Sequence, residues 1–359
     1  MRKLFEEKFD IETSKKHYKV KYISTNWAKG FNCTPSTCGL CCISELPPNV
    51  PKKNFKPFDE VICRYFNVEN KKCEMYDKRP LGCKLYPFIF GFENEDIIVS
   101  PSLECPSTNA SILNINSLKE TFNKPSFGLV IDNLNQVLKE AKYSRFWDTP
   151  QAYWAFLEDQ INKYFDQKNQ FPILEDLSDQ VQEWQDNYFN VKTNRTKLTP
   201  IYQLIKNIAN GKSVILGGFS TKDITMIYFK IKKFKVHSTI WNPAQNSIKK
   251  VKSRLPIKSL NLKITEDGMK ILRDYLSLIF KRPFLSLSAV QLTKAPRMVP
   301  LLMSSNFVGA ITHIEVAANL LAYRFTENVI DREGMRDILS FADGCLLSMF
   351  GNPQKSMRF

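Results

Sequence analysis

The stretch "CTPSTCGLCC", residues 33–42, places four cysteines in ten positions of a 359-residue chain that has nine. Cys63, Cys73, Cys83 and Cys105 follow, and Cys345 stands alone near the other end. Eight clustered thiols can bridge, pack or hold metal, and each choice dictates a different fold. Disulfides need an oxidising compartment, yet the opening "MRKLFEEKFD" lacks the apolar core of an export signal, so a cytoplasmic location is expected. Adjacent Cys41 and Cys42 are also poorly placed to bond each other. Packing as a small hydrophobe suits Cys345, inside the helical pattern "MRDILSFADGCLLSMF", and leaves the other eight unexplained.

Metal binding explains them. Thiolates select zinc, Cu(I) or iron–sulfur clusters, and a centre needs about four ligands drawn from close pairs and distant partners. The candidate ligands are Cys33, Cys38, Cys41, Cys42, Cys63, Cys73, Cys83 and Cys105. Cys38 and Cys41 have the two-residue chelating gap, with Gly39 between them, and Pro106 follows Cys105 as in some cluster-binding runs. The three histidines, His17, His237 and His313, lie away from these cysteines, so the site would be all-thiolate. Spacing does not separate zinc from a [4Fe-4S] cluster, or one centre from two.

"CGLCC" followed by "CRYFNVENKKCEMYDKRPLGCKLYPF" resembles the YkgJ-type cysteine-cluster family, described as zinc- or iron-chelating. The family element C-x-x-Y-x-x-R-P-x-x-C-x-x-[FY]-P-F is met by Cys73, Tyr76, Arg79, Pro80, Cys83, Tyr86, Pro87 and Phe88. The resemblance covers about residues 33–106, implies Cys38, Cys41, Cys42, Cys63, Cys73 and Cys83 as ligands with Cys33 and Cys105 as additions, and favours iron–sulfur over zinc. Arg79 and Lys84 flank Cys83, where a cation would favour the thiolate. The run "KLYPFIFGF" reads equally as cluster shielding and as core strand. The three-cysteine loop of radical enzymes that use S-adenosylmethionine is one residue shorter than Cys33–Cys38–Cys41, and the repeated strand–helix units of those enzymes are missing here.

Beyond Cys105 the pattern turns helical. Thr149-Pro150 opens "QAYWAFLEDQINKYF", with Trp154, Leu157, Ile161 and Phe165 on one face; Leu177, Val181, Trp184 and Tyr188 repeat the spacing. Thr199-Pro200 opens "IYQLIKNIAN", Thr265 caps "EDGMKILRDYLSLIFKR", and helices are expected near 308–326 and 332–350. "VPLLMSSNFVGAITHIEVAANLL" carries Asn306, His313 and Glu315 and reads as a buried helix rather than a membrane span. Gly217-Gly218 reads as a turn, with no phosphate-loop motif around it.

Charge is uneven. Residues 201–359 carry 24 Lys/Arg against 10 Asp/Glu, which is nearly all of the net +15. From Lys222 to Lys258 there are ten Lys/Arg and one acid, Asp223, on segments that alternate like strands around "NPAQN". Lys235 should share a face with His237, and Lys250, Lys252 and Arg254 a face of the partner strand, a candidate contact for nucleic acid or an acidic partner. A solvated edge hairpin guarded by lysines explains the same residues.

The expected fold is α+β, mostly helical. A loop-rich cysteine module, 1–110, sits on a helical body, 111–359, which carries a small basic antiparallel insert at about 222–264. Three functions are compatible with it. One is a metal-cluster protein, with [4Fe-4S] or zinc as cofactor. In outline this reading also resembles the flagellin lysine methylases, whose likeness implies S-adenosylmethionine and a protein substrate but names no catalytic residue. The others are a metal-stabilised nucleic-acid- or ribosome-binding protein, and a redox partner.

Overall fold

The computed structural model describes residues 4–13, 17–29, 52–55, 60–67, 69–70, 72–76, 78–79, 83, 86–93, 96–105, 108, 119, 122–123, 127–128, 131–132, 148–167, 170–171, 174–190, 214–220, 225–232, 235–242, 247–254, 261–282 and 299–349. In chain order the elements are β1 (Phe5–Glu12), β2 (His17–Ser24), β3 (Lys52–Phe55), β4 (Glu60–Cys63), β5 (Phe66–Asn67), β6 (Lys72–Cys73), β7 (Phe88–Glu93) and β8 (Asp96–Pro101). There follow α1 (Asp148–Gln167), β9 (Gln170–Phe171), α2 (Leu174–Phe189), β10 (Val214–Ser220), β11 (Thr225–Lys232), β12 (Lys235–Asn242), β13 (Ser247–Arg254) and β14 (Leu262–Ile264). The chain closes with α3 (Glu266–Lys281), α4 (Val299–Leu321), β15 (Val329–Ile330) and α5 (Arg332–Met349). The fold is α+β, and no helix among the described residues is long and apolar enough to cross a membrane.

The described N-terminal region contains regular structure where the sequence suggested mainly loop. "FEEKFDIE" and "HYKVKYIS" alternate with period two, and they pair antiparallel as β1 and β2. β8 joins β2 in parallel and β7 joins β8 antiparallel, giving the order β1-β2-β8-β7. One set of side chains packs as an aromatic core: Phe88 meets Phe122 at 5.2 Å, Phe90 meets Phe127 at 5.0 Å, and Phe122 meets Phe127 at 4.5 Å between ring centroids. Phe88 and Phe90 are therefore core residues of this sheet, the packing role of the two that the sequence left open.

The opposite set, with Ile23, Ile89, Ile98 and Leu103, joins the core of the helices. That core holds Trp154, Leu157, Ile161 and Phe165 of α1, Leu177 and Val181 of α2, and the apolar faces of α3, α4 and α5. Thr265 caps α3 as expected, its hydroxyl accepting from the Gly268 N–H at 3.1 Å. Gly268 is required by a close approach: a Cβ there would lie 2.9 Å from the Ile330 carbonyl of β15. α4 covers Val299–Leu321, the run read from the sequence as a buried helix, and so begins ahead of the segment expected near 308; its surface is apolar nearly all round. The helix expected at 201–210 falls outside the described residues.

The basic insert has four strands, in the order β10-β11-β12-β13. Gly217 and Gly218 are not a turn; they sit inside β10, opposite Tyr228 and Ile227 of β11. Glycine in a strand is disfavoured, but β10 lies at the sheet's edge, and α5 packs closely against it. β14, which the sequence suggested as part of this insert, pairs instead with β9 and β15 in a separate sheet. Its three residues are long enough to alternate and too short to declare a partner.

Candidate metal centre and the clasp that holds it

Four of the eight candidate ligands lie among the described residues. Cys63 ends β4, opposite Lys52 of β3, and is buried. Cys73 ends β6 and pairs with Phe66, three residues on from Cys63, so two cysteines ten apart in sequence flank one short hairpin. The hairpin is built from side-chain turns: Asn67 Oδ1 accepts from the N–H groups of Glu69 and Asn70 at 3.0 and 3.2 Å, and Asn70 Oδ1 accepts from Lys72 N–H at 3.0 Å. Cys83 is half-buried, and Cys105 is buried in the turn after β8. All four are thiols.

Among the described residues, no three of His, Cys, Asp and Glu converge on a metal position. Cys33, Cys38, Cys41 and Cys42 lie outside the described residues. The four described cysteines are soft donors of one chemical type, two at strand ends (Cys63, Cys73) and one in a turn (Cys105).

The residues between the cysteines have definite work. After Cys73 the chain turns twice, with Tyr76 N–H donating to the Cys73 carbonyl at 3.2 Å and Lys78 N–H to the Met75 carbonyl at 3.0 Å. Arg79 locks that turn. Its Nε donates to the Tyr76 carbonyl at 2.9 Å, and its guanidinium lies over the Tyr76 ring, 3.9 Å from the centroid. Tyr76 and Arg79 thereby brace the turn that follows Cys73. The Tyr86–Pro87 peptide is cis, and the Pro87 carbonyl accepts from Ser102 N–H at 2.6 Å. Cys105 N–H donates to the Ser102 carbonyl at 3.3 Å, and the Thr108 hydroxyl reaches the Cys105 carbonyl at 2.7 Å.

Both ends of the cysteine-bearing stretch are tied to one helix. Arg336, Ser340 and Asp343 are spaced i, i+4, i+7 along α5 and share a face. Before the stretch, the Arg336 guanidinium sits 5.4 Å from the centre of the Trp27 ring, with a long 3.5 Å contact to the Trp27 carbonyl. Near the far end of the stretch, between Cys83 and Cys105, the Leu103 carbonyl accepts from the Ser340 hydroxyl at 2.9 Å, and Leu103 N–H donates to Asp343 Oδ2 at 2.7 Å. Trp27 precedes Cys33 by six positions and Leu103 precedes Cys105 by two.

Behind this clasp is a buried polar cluster that sequence reading missed. Arg282, the C-terminal cap of α3, is fully buried and spends its guanidinium on three partners in two elements, β8 and α5. Nε donates to Ser100 Oγ at 2.8 Å, Nη2 to the Pro101 carbonyl at 2.6 Å, and Nη1 to Asp343 Oδ1. Asp343 Oδ1 also accepts from the Tyr275 hydroxyl at 2.8 Å. Nearby, burial pushes the Tyr22 hydroxyl well above the usual tyrosine range, against the opposing pull of the Ser24 hydrogen bond and the Arg282 charge. A basic residue in the last turn of a helix before proline is ordinary on the surface, so "FKRP" carried no sign that Arg282 is interior.

The basic sheet has the expected alternation. Lys235, His237, Lys250 and Lys252 are exposed, while Val236 and Ser238 are buried and Ile227 packs into the main core. Register aligns Lys235 with Arg254, His237 with Lys252 and Thr239 with Lys250, so all the expected basic positions fall on one face. Compared with protein families, curated proteins and solved structures, the chain matches none.

Proposed function

We propose that the chain is a metal-cluster protein that holds a [4Fe-4S] cluster through its N-terminal cysteines. What carries this reading is a thiol-only set of candidate donors, within a stretch whose two ends are tied to one face of α5. Fixing both ends removes chain entropy that a metal would otherwise have to overcome when it gathers its ligands. The placement of Cys63 and Cys73 on either side of one hairpin supports it, as does the Tyr76–Arg79 contact before Cys83.

Anaerobic purification followed by iron and sulfide analysis, absorption and Mössbauer spectra tests the proposal. A brown protein with about four irons and four sulfides is expected. A colourless protein with stoichiometric zinc would keep the thiolate site and reject the iron–sulfur centre; a metal-free, fully folded protein would reject both. Titration of S-adenosylmethionine into the loaded protein tests whether the centre serves a lysine-modifying activity, the reading that the order of segments favours.

A further inference from the structure

Strand register turns the basic insert into an ordered surface. Across β11, β12 and β13 the paired positions form successive rows: Lys232, Lys235 and Arg254; then Lys230, His237 and Lys252; then Tyr228, Thr239 and Lys250; then Met226, Trp241 and Ile248. Two rows are wholly basic, one is mixed, and the last is apolar with Ile248 41% exposed. No Asp or Glu occurs in any of the four strands. Rows on one face are about 7 Å apart along the strands and neighbouring strands about 5 Å apart, so the face runs for roughly 20 Å.

Guarding an edge accounts for the basic residues of the edge strand β13 but not for those of β12. β12 is an interior strand, yet it carries Lys235 and His237 on the open face, and a lysine there protects no unpaired backbone. Like charges set directly opposite, as Lys235 and Arg254 are, weaken a sheet. A polyanion laid across the rows would relieve that repulsion.

We propose that this face binds single-stranded nucleic acid, with phosphates on the basic rows and bases toward the row that contains Trp241. Cations and aromatic residues on one surface are the combination that single strands use, through counterion release and sequence-tolerant stacking. An acidic protein would use the cations and leave the aromatic row idle. A duplex keeps its bases stacked on one another and would likewise leave the row that contains Trp241 unused. The assignment is independent of the metal centre, because none of its residues belongs to the cysteine stretch.

The test uses the full chain and fluorescence anisotropy with labelled oligouridylate, oligothymidylate and a mixed-sequence duplex. In one variant Lys235, Lys250 and Lys252 become Gln. In a matched variant the exposed Lys8, Lys19 and Lys263 become Gln, removing equal charge from other surfaces. Single strands should bind better than the duplex. The sheet variant should flatten the log–log salt slope by about 2, from roughly 0.7 per lost contact, and weaken binding about ten-fold or more. The matched variant should leave both unchanged. Trp241→Ala should weaken binding roughly ten-fold with the slope intact. A preference for oligouridylate or for oligothymidylate would say which polymer the face reads, and either agrees with the proposal. Equal losses in the two lysine variants would reduce the effect to net charge and overturn it. So would displacement of the oligonucleotide by polyglutamate at matched charge, which would assign the face to acidic protein. All lysine replacements lie at exposed positions, so they decide the matter even if Trp241→Ala fails to fold.

Discussion

Arg282 and Asp343 form an ion pair from which water is wholly excluded, each side chain having 0% relative exposure. The pair joins the end of α3 to the middle of α5, and through Ser100 and the Pro101 carbonyl it fastens both to β8. Two buried charges are tolerable because their remaining capacity is filled: Asp343 accepts from Tyr275 and Leu103 as well as from Arg282. Such a pair adds modest net stability and strongly penalises its own disruption.

Arg282→Met should therefore destabilise the protein by about 3–5 kcal/mol, since it strands the Asp343 carboxylate in the interior. Arg282→Met combined with Asp343→Leu should be less damaging than the sum of the single changes. Urea denaturation of the four proteins checks this. A single-variant loss below about 1 kcal/mol would mean that Asp343 is satisfied without the arginine.

Cys73→Ser and Cys83→Ser should each abolish or sharply reduce bound metal, and Arg79→Ala should reduce it less, because Arg79 braces the turn without supplying a thiolate. Metal content and the visible spectrum of each variant are the readout. Full metal occupancy in Cys73→Ser would remove that residue from the ligand set.

Ser340→Ala together with Trp27→Leu loosens the clasp at both ends while leaving every cysteine in place. The loaded protein should release metal to a chelator several-fold faster than the wild type. Unchanged release would show that the ligands hold their geometry without help from α5.

Burial holds the His313 imidazole below the ordinary value of 6.5, outweighing the opposing effect of its 2.6 Å hydrogen bond to the Gly309 carbonyl. The unfolded chain thus takes up this proton more readily than the folded one. Stability linked to His313 is present above pH 6.5 and is lost as pH falls through and below that value. Denaturation midpoints measured between about pH 7 and pH 5 should decline less steeply in His313→Gln than in the wild type.

At the alkaline end, the Tyr153 hydroxyl is pushed up to about 12 from its ordinary 10.0, mainly by burial, while its hydrogen bond to Ser304 pulls the other way. Its contribution is complete below pH 10 and disappears as pH rises toward 12. Tyr153→Phe should lose about 1 kcal/mol at neutral pH, from the orphaned Ser304 hydroxyl, and show a shallower alkaline decline. Identical alkaline profiles would assign the wild-type decline to other groups.

The parts of this fold visible in the sequence are those written in local chemistry. Thr265 announces α3, the stripe from Trp154 to Phe165 announces α1, and alternation around "NPAQN" announces the β12–β13 hairpin with its charges on one face. What stayed hidden depends on partners distant in the chain. Phe88 and Phe90 became core only because Phe122 and Phe127 pack on them, and Gly217-Gly218 lies in a strand because α5 and β11 lie beside it. Arg282 and Asp343 are 61 positions apart, and nothing within a few residues of either marks it as interior. The thiols themselves were conspicuous, but the helix that pins the ends of their stretch could not be inferred from spacing.

The Leu103 contacts with Ser340 and Asp343 span 237 and 240 positions. A ribosome makes the clustered cysteines well before the α5 residues that fasten their stretch. The thiols therefore precede their anchorage to α5, and until that helix emerges the pairing of β2 with β8 is what brings the two ends of their stretch together. The order of translation thus sets the earliest moment at which α5 can fasten this region.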